Sequence, residues 1–377
     1  MSRFQPFAME RWQSTYENRV AFNLSESGVH PLSLRELLDL SGSPGLDDTL
    51  LGYGQSNGSD ALRAHIALLY PGCSDESVIV TNGSAEANFV AMWELVQPGD
   101  NIAIVVPTYM QTYGLAQNFG VAVKEIWLRE DSGWQPDPDD VRNAIDERTR
   151  IVVITNPNNP TGAILNEEAR RALVAAADRV GAWIIADEVY SGAEIEAAET
   201  PSFFVEHDRV IATGSLSKAY GLPGLRIGWA IAPPALAERL WARKDYLTIS
   251  PGELTDRIAT LALNPGVRPR VLDRTRRYLR AGLDMLEPWL KEVGMFTYRL
   301  PDAGAICYAR YDLDINSSEL AERLRAEQSV LIVPGDHFGM DGFVRIGYGN
   351  PRAQLKEALA RMRECLVGIG STVPVSS

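Results

Sequence analysis

The chain is poor in the residues that build metal centres and disulfide frameworks. Its 377 residues include only three cysteines, Cys73, Cys307 and Cys365, and four histidines. The cysteines lie far apart without metal-ligand spacing, which fits buried thiols in a reducing compartment better than a cross-linked secreted fold. The histidines form no metal or triad spacing either, so no metal is expected. Long basic runs are also missing, and the net charge of −13 argues against a nucleic-acid partner. The N-terminus, Met-Ser-Arg-Phe-Gln-Pro, has no apolar signal core. No uncharged apolar run approaches the ~20 residues of a membrane span. The expectation is a cytoplasmic protein with no membrane partner.

What remains is ordinary globular composition, 45 % hydrophobic and 23 % charged, with length enough for two structural domains and a large core. From about residue 59 to 275, β-rich runs alternate with amphipathic helical stretches. The candidate strands are residues 78–81, 101–106, 121–126, 150–155, 183–186, 210–213 and 228–231. Such alternation predicts an α/β sheet of seven mostly parallel strands. Sheets of this kind carry their chemistry at the carboxyl ends of the strands. Past Pro265 come a long basic-amphipathic helix over 268–293, four short strands over 295–299, 305–309, 330–333 and 342–346, and a terminal helix over 351–366. The division read from this is an arm over 1–40 that is part of a small domain, a large domain over 41–270, and a small α+β domain over 271–377. The arm reads as extended, and the last seven or so residues read as disordered.

Lys218 leaves a buried strand in Ser215-Leu-Ser-Lys218-Ala-Tyr-Gly-Leu-Pro-Gly-Leu-Arg226. Burial is expected to pull its ammonium pKa down and make it a usable amine nucleophile toward an aldehyde. Ser215, Ser217 and Arg226 have the donors to surround a phosphate. An amine, a phosphate cradle and a glycine-rich loop point to a Schiff base with pyridoxal phosphate. A lysine in a surface turn is the plain alternative for Lys218 alone.

Three other segments weigh against that alternative. Asn156-Pro-Asn-Asn159-Pro-Thr-Gly holds Asn159 in a rigid turn at a strand end. Trp183-Ile-Ile-Ala-Asp187-Glu-Val-Tyr190 puts an acid where an apolar strand finishes, and a protonated pyridine nitrogen is a suitable partner for it. Thr81-Asn-Gly-Ser84-Ala85 opens a helix whose free amides suit a phosphate. Tyr109, after Pro107, offers a plane for stacking. Taken singly, a helix cap for Asp187 and packing for Tyr190 are serious rivals, most tyrosines placed like Tyr109 merely pack, and such turns are common in structural roles.

Together, in this order, these motifs resemble the class I/II aminotransferases, pyridoxal-phosphate enzymes of fold type I, over about residues 20–365. The resemblance implies that Lys218 forms the aldimine and moves the substrate's α-proton. It implies that Asp187 pairs with the pyridine nitrogen, that Tyr190 and Asn159 hold the 3′-oxygen, and that Tyr109 stacks on the ring. Ser84, Ala85, Ser215, Ser217 and Arg226 would hold the phosphate. Tyr53, in Gly52-Tyr-Gly-Gln-Ser, resembles the tyrosine that reaches the neighbouring subunit's phosphate, which implies a homodimer with shared sites. Arg345 matches the arginine that clamps the substrate α-carboxylate, with Asn159 and Gly28 beside it.

One segment departs from the family. Where many relatives have Gly-x-Pro, this chain reads Ser27-Gly28-Val29-His30. Histidine titrates near neutrality and could move a proton, although a capping or packed role is the alternative. This stretch and the Lys218 loop resemble the capreomycidine-synthase group, which cyclises a hydroxylated arginine, and approach the dioxygen-using arginine oxidases. Glu17 and Glu26 would then meet a guanidinium. His337 is a weaker pocket candidate. The expected activity is transamination of an α-amino acid with a 2-oxo acid. The alternative is cyclisation, elimination or oxidation of an arginine-like substrate with help from His30, and a non-enzymatic cofactor-sensing regulator is remote.

Overall fold

The computed structural model describes residues 4–42 and 45–370. The terminal stretch expected to be disordered lies outside the described residues. A sheet dominates the structure, in the order Val78–Thr81, Gly228–Ile231, Val210–Ser215, Trp183–Asp187, Thr149–Thr155, Asn101–Val106, Ala122–Arg129 and Gln135–Pro136. All seven expected strands are there. The eighth, Gln135–Pro136, spans two residues antiparallel to Ala122–Arg129, too short to show alternation in sequence. The five strands from Val210–Ser215 to Ala122–Arg129 run parallel, while Gly228–Ile231 is antiparallel to both its neighbours.

Successive side chains of a strand face opposite sides. Val78, Val80, Ala103, Val105, Val152 and Ile154 therefore join one core, and Ile79, Ile102, Ile104, Ile151 and Val153 another. Burial on both faces explains why these strands read as continuous apolar runs. Helices Ser84–Leu95 and Pro234–Lys244 cover the second face through Val90, Ala91, Leu236 and Leu240. Helix Glu167–Val180 covers the first through Leu173 and Ala177. It begins where the Asn166 side chain accepts the Ala169 N–H, a cap worth ~1 kcal/mol, and ends at Gly181 with φ +70°.

The strand directions decide where chemistry can gather. The carboxyl ends of Val78–Thr81, Asn101–Val106, Thr149–Thr155, Trp183–Asp187 and Val210–Ser215 share one edge, and the antiparallel Gly228–Ile231 starts there. Residues just after the first five and just before the last are thus neighbours.

A second, antiparallel sheet has the order Phe296–Tyr298, Ile306–Tyr311, Phe343–Gly347 and Val333–Pro334. The expected strand over 330–333 is interrupted at Ile332 because its halves serve different partners. Val330–Leu331 pairs in parallel with Phe22–Asn23 of the arm, and Val333–Pro334 joins the four-stranded sheet. Helix Arg268–Val293 has the expected bounds.

The arm corrects the sequence reading: residues Ala8–Tyr16 are a helix, not extended chain. Met9 and Gln13 are its buried residues, and the Trp12 indole donates to Ile332 O at 2.9 Å. A single helix of nine residues gives little sequence signal, and its stability comes from docking. Among the described residues, no helix is long and apolar enough to cross a membrane.

Candidate active site

Helix Ser84–Leu95 begins directly behind strand Val78–Thr81, and Gly83, its N-cap, has φ +85°. A Cβ on Gly83 would meet Arg226 Nη2 at 2.3 Å, so the guanidinium approaches only because that residue is glycine. Arg226 itself has φ +53°, and its Nη1 donates to Pro223 O at 2.9 Å. Ser217 Oγ lies 3.5 Å from the same Nη1, and the Ser217 N–H donates to Ser215 Oγ at 3.2 Å. These residues share one cavity of about 430 Å³ with Ser84 and Ala85. Helix-terminal amides, hydroxyls and a guanidinium form a donor set for phosphate.

Asp187 ends strand Trp183–Asp187 and lines the same cavity. Asn88 Nδ2 donates to its Oδ2 at 3.0 Å and the Val189 N–H to its Oδ1 at 3.3 Å. Burial raises its carboxyl above the ordinary range, while the Asn88 and Val189 bonds and the Lys218 charge pull the other way. Its hydrogen-bond partners are amide groups, not a cation. Three residues on, Tyr190 Oη is buried with no partner that meets hydrogen-bond geometry among the described residues, although the Ser27 hydroxyl lies near it.

Lys218 follows strand Val210–Ser215, and its Nζ stands 3.6 Å from Glu26 Oε2. Gly28 lets the arm come this close: a Cβ there would be 3.2 Å from Ser217 O and 3.6 Å from Lys218 Cδ. The expectation of a lowered ammonium pKa is corrected. Burial does pull it down, but the Glu26 and Glu10 carboxylates, together with the Tyr190 phenol where it ionises, outweigh burial and Arg345, and the net direction is up. In return, Lys218 holds the Glu26 carboxyl below its ordinary range against burial, with help from Arg345.

Arg345, on strand Phe343–Gly347, is buried at 1 % exposure. Its Nη1 donates to Asn159 Oδ1 at 2.7 Å and its Nη2 to Ser25 O at 2.5 Å, while Nε has no partner among the described residues. Burial lowers its pKa against the charges of Tyr190 and Glu26. The arm helix closes over this end. Tyr109 Oη donates to Glu10 Oε1 at 2.8 Å, and Gln13 Nε2 donates to Ser25 O at 2.9 Å. Glu10, Glu17 and Glu26 all line the cavity. Burial and then the charges of Glu26 and Glu10 push the Glu17 carboxyl up, against Lys218.

The fold thus gathers Lys218, Asp187, Tyr190, Asn159, Tyr109, Arg345, Ser84, Ala85, Ser215, Ser217 and Arg226 around one cavity, with Gly28 packed on Lys218. Two expected residues are not brought there. His30 is exposed, its ring stacked near Tyr278 at 6.2 Å, because its backbone is tied outside the cavity by bonds to Gly349 and Arg274. His337 is away too, near Trp12 at 6.3 Å. Tyr53 is 90 % exposed, outside this chain's own cavity. The sequence reading missed Glu10 and Gln13, since the arm helix was not foreseen, and Asn88, whose only signal is a polar residue on the buried face of an apolar helix.

A buried carboxylate without a cation, a phenol without a partner, an amine and a phosphate-binding end match the ring nitrogen, 3′-oxygen, aldehyde and phosphate of pyridoxal phosphate. Comparisons with known proteins agree. The family model for aminotransferase class I and II matches residues 35–362. The chain is 33 % identical over 363 residues to capreomycidine synthase of Streptomyces vinaceus, covering 94 % of this chain and 92 % of that one. A crystal structure of a PLP-dependent aminotransferase from Streptococcus suis superposes with TM-score 0.92 at 33 % identity, covering 98 % and 99 % of the two chains. The PLP-dependent cyclase OrfR superposes with TM-score 0.89 at 25 % identity, covering 98 % of each. The chain therefore belongs to the class I and II aminotransferase family, as an enzyme of the fold-type I architecture whose cofactor is pyridoxal phosphate.

Proposed function

We propose that this enzyme transaminates a free α-amino acid that carries a cationic side chain, with a 2-oxo acid as acceptor. The observation that carries the reading is the shared cavity of Lys218 and Arg345, walled on the arm side by Glu10, Glu17 and Glu26. Pyridoxal phosphate, when bound, supplies an aldehyde that captures amines and a ring that withdraws electrons from the α-carbon. Ser84, Ala85, Ser215, Ser217 and Arg226 would hold its phosphate, and Asp187 would pair with its ring nitrogen. Tyr190 and Asn159 would hold its 3′-oxygen, and Tyr109 would pack against its ring. Arg345 binds the substrate carboxylate by its planar fork, with Asn159 fixing that fork and Gly28 leaving room beside Lys218. Lys218 would hold the cofactor's aldehyde until the substrate amine displaces it, and the amine so freed would then move the α-proton as general base and acid. With Arg345 engaged by the substrate carboxylate and Lys218 by the cofactor, the three arm-side carboxylates keep uncompensated charge, which a cationic side chain would balance.

The active unit is a homodimer in this reading. Leu50, Leu51, Tyr53 and Tyr246 are each 80 % exposed or more, apolar side chains of the kind that a second copy would cover. From there Tyr53 reaches the partner's phosphate site.

A second reading is cyclisation, elimination or oxidation of an arginine-like substrate. It is favoured by the similarity to capreomycidine synthase over 94 % of the chain. His30 lends it no support, because its ring lies outside the cavity. The test supplies arginine, lysine, ornithine and neutral amino acids with and without pyruvate or 2-oxoglutarate, under air and under argon. Transamination requires an acceptor. Turnover without one, with oxygen uptake or ammonia release, replaces it by the second reading, and a preference for neutral or acidic side chains removes the cationic assignment.

A further inference from the structure

Asn88 is a polar residue, 2 % exposed, on a helix whose other buried positions are mostly apolar. All three of its side-chain bonds are made to specific groups. Thr213 Oγ1 donates to Asn88 Oδ1 at 2.9 Å. Asn88 Nδ2 donates to Asp187 Oδ2 at 3.0 Å and to Gln111 Oε1 at 3.3 Å. Gln111 in turn donates Nε2 to Ala85 O at 2.7 Å. Thr213 is also the register partner of Asp187 on the adjacent strand, so the hydroxyl and the carboxylate are fixed by the same ladder.

This connectivity has a direction. A hydroxyl donating to Oδ1 leaves the Nδ2 end of the amide toward Asp187, where its hydrogen needs an acceptor. The reversed amide would set a carbonyl oxygen against a buried carboxylate. An ionised carboxylate is an acceptor only, so it matches this donor, whereas a protonated one would bring a competing hydrogen to the contact. With Oδ1 bonded to the Val189 N–H, each Asp187 oxygen has one protein donor and capacity for another group.

We propose that Asn88 is a positioning residue: its amide, fixed by Thr213 and Gln111, aims the Asp187 carboxylate and keeps it an acceptor for the cofactor's ring nitrogen. The inference rests on the reading that Asp187 meets that nitrogen. Buried polar networks of this kind are strong when fully satisfied, and the link through Gln111 to Ala85 O ties the ring-nitrogen end of the cavity to the phosphate end. The strength of the Asp187 pairing sets how well the ring withdraws electrons, so Asn88 acts on the chemistry without touching the cofactor.

The experiment measures equilibrium binding of pyridoxal phosphate and of its analogue with carbon in place of the ring nitrogen. Wild type, N88L, T213V and D187N are compared, and the melting temperature of each free protein serves as a folding control. Wild type should prefer the natural cofactor, and D187N should lose that preference. N88L should weaken pyridoxal phosphate binding by about tenfold or more while leaving the analogue within about twofold, the scale of one lost charge-assisted hydrogen bond. T213V should move in the same direction by less, and it carries the test if N88L fails to fold. Equal losses for both ligands, or no loss for either, overturn the role of Asn88. A preference that survives in D187N overturns the underlying reading of Asp187 instead, so the two failures are distinguishable.

Discussion

Arg345 Nη1 donates to Asn159 Oδ1 at 2.7 Å, and no carboxylate is among its hydrogen-bond partners. A guanidinium this buried is costly unless something charged completes it, and in the proposed function the substrate carboxylate takes that part. R345Q should raise the KM for amino-acid substrates by about 100-fold or more, the scale of two charge-assisted bonds, while cofactor binding stays near wild type. An unchanged KM would remove Arg345 from substrate binding.

Glu26 and Lys218 give a pH-dependent expectation with a definite sign. The Glu26 carboxyl is held low, chiefly by Lys218, so its stabilising contribution is present above the ordinary carboxylate range and is lost as pH falls through its depressed value. The Lys218 ammonium is held high, so its contribution persists until pH rises through that raised value. E26Q should therefore melt slightly below wild type at neutral pH, with the difference vanishing in strong acid. Solvent at this half-exposed pair limits the effect to ~1 kcal/mol or less. The same variant should shift the pH dependence of pyridoxal-phosphate capture downward, since Lys218 loses the largest influence that keeps it protonated. Capture followed by visible absorbance across pH checks this, and an upward shift would contradict it.

The sequence disclosed the strand-end residues because a parallel sheet converts chain order into neighbourhood. Val78–Thr81, Asn101–Val106 and Gly228–Ile231 have the expected bounds, so Ser84, Tyr109 and Arg226 follow from counting along the chain. The arm could not be read in this way. Helix Ala8–Tyr16 is held by contacts such as Trp12 to Ile332, more than three hundred positions away, and local periodicity carries no record of them. The place of His30 is hidden from local sequence for the same reason: its backbone is tied to Gly349 and Arg274, from distant segments. The sign of the Lys218 shift depended on Glu26 and Glu10 arriving from that arm. Burial alone was visible in sequence, and burial alone gives the opposite sign.

Glu188, next to Asp187, lines a separate cavity of about 210 Å³ that also touches Ser215. Burial pushes its carboxyl up to about 8, against hydrogen bonds from the Phe203 N–H at 2.8 Å and the Ser202 hydroxyl at 3.0 Å. A carboxyl raised in the folded state favours folding in its protonated form. Its contribution is complete below the unfolded carboxylate pKa of ~4.3 and is lost as pH rises through about 8. E188Q keeps an acceptor for Phe203 and cannot ionise. Its melting temperature should gain on wild type steadily across this window and level off above it. Parallel melting curves for the two proteins from acid to alkaline pH would show that Glu188 ionises normally.

The carboxylates of the arm should read the substrate's charge. E17Q should lower kcat/KM for arginine or lysine by about three- to tenfold, the scale of one partly solvated charge pair, and leave neutral amino acids nearly unaffected. Burial and the neighbouring Glu26 and Glu10 charges raise the Glu17 carboxyl, so it takes a proton at higher pH than an ordinary carboxylate does. Discrimination for cationic over neutral substrates should therefore shrink as pH drops toward that raised value in wild type and stay flat in E17Q. Measuring the ratio of kcat/KM values for ornithine and its uncharged analogue norvaline against pH separates this from a general loss of activity. A ratio that falls with pH equally in both proteins would assign the discrimination to another group.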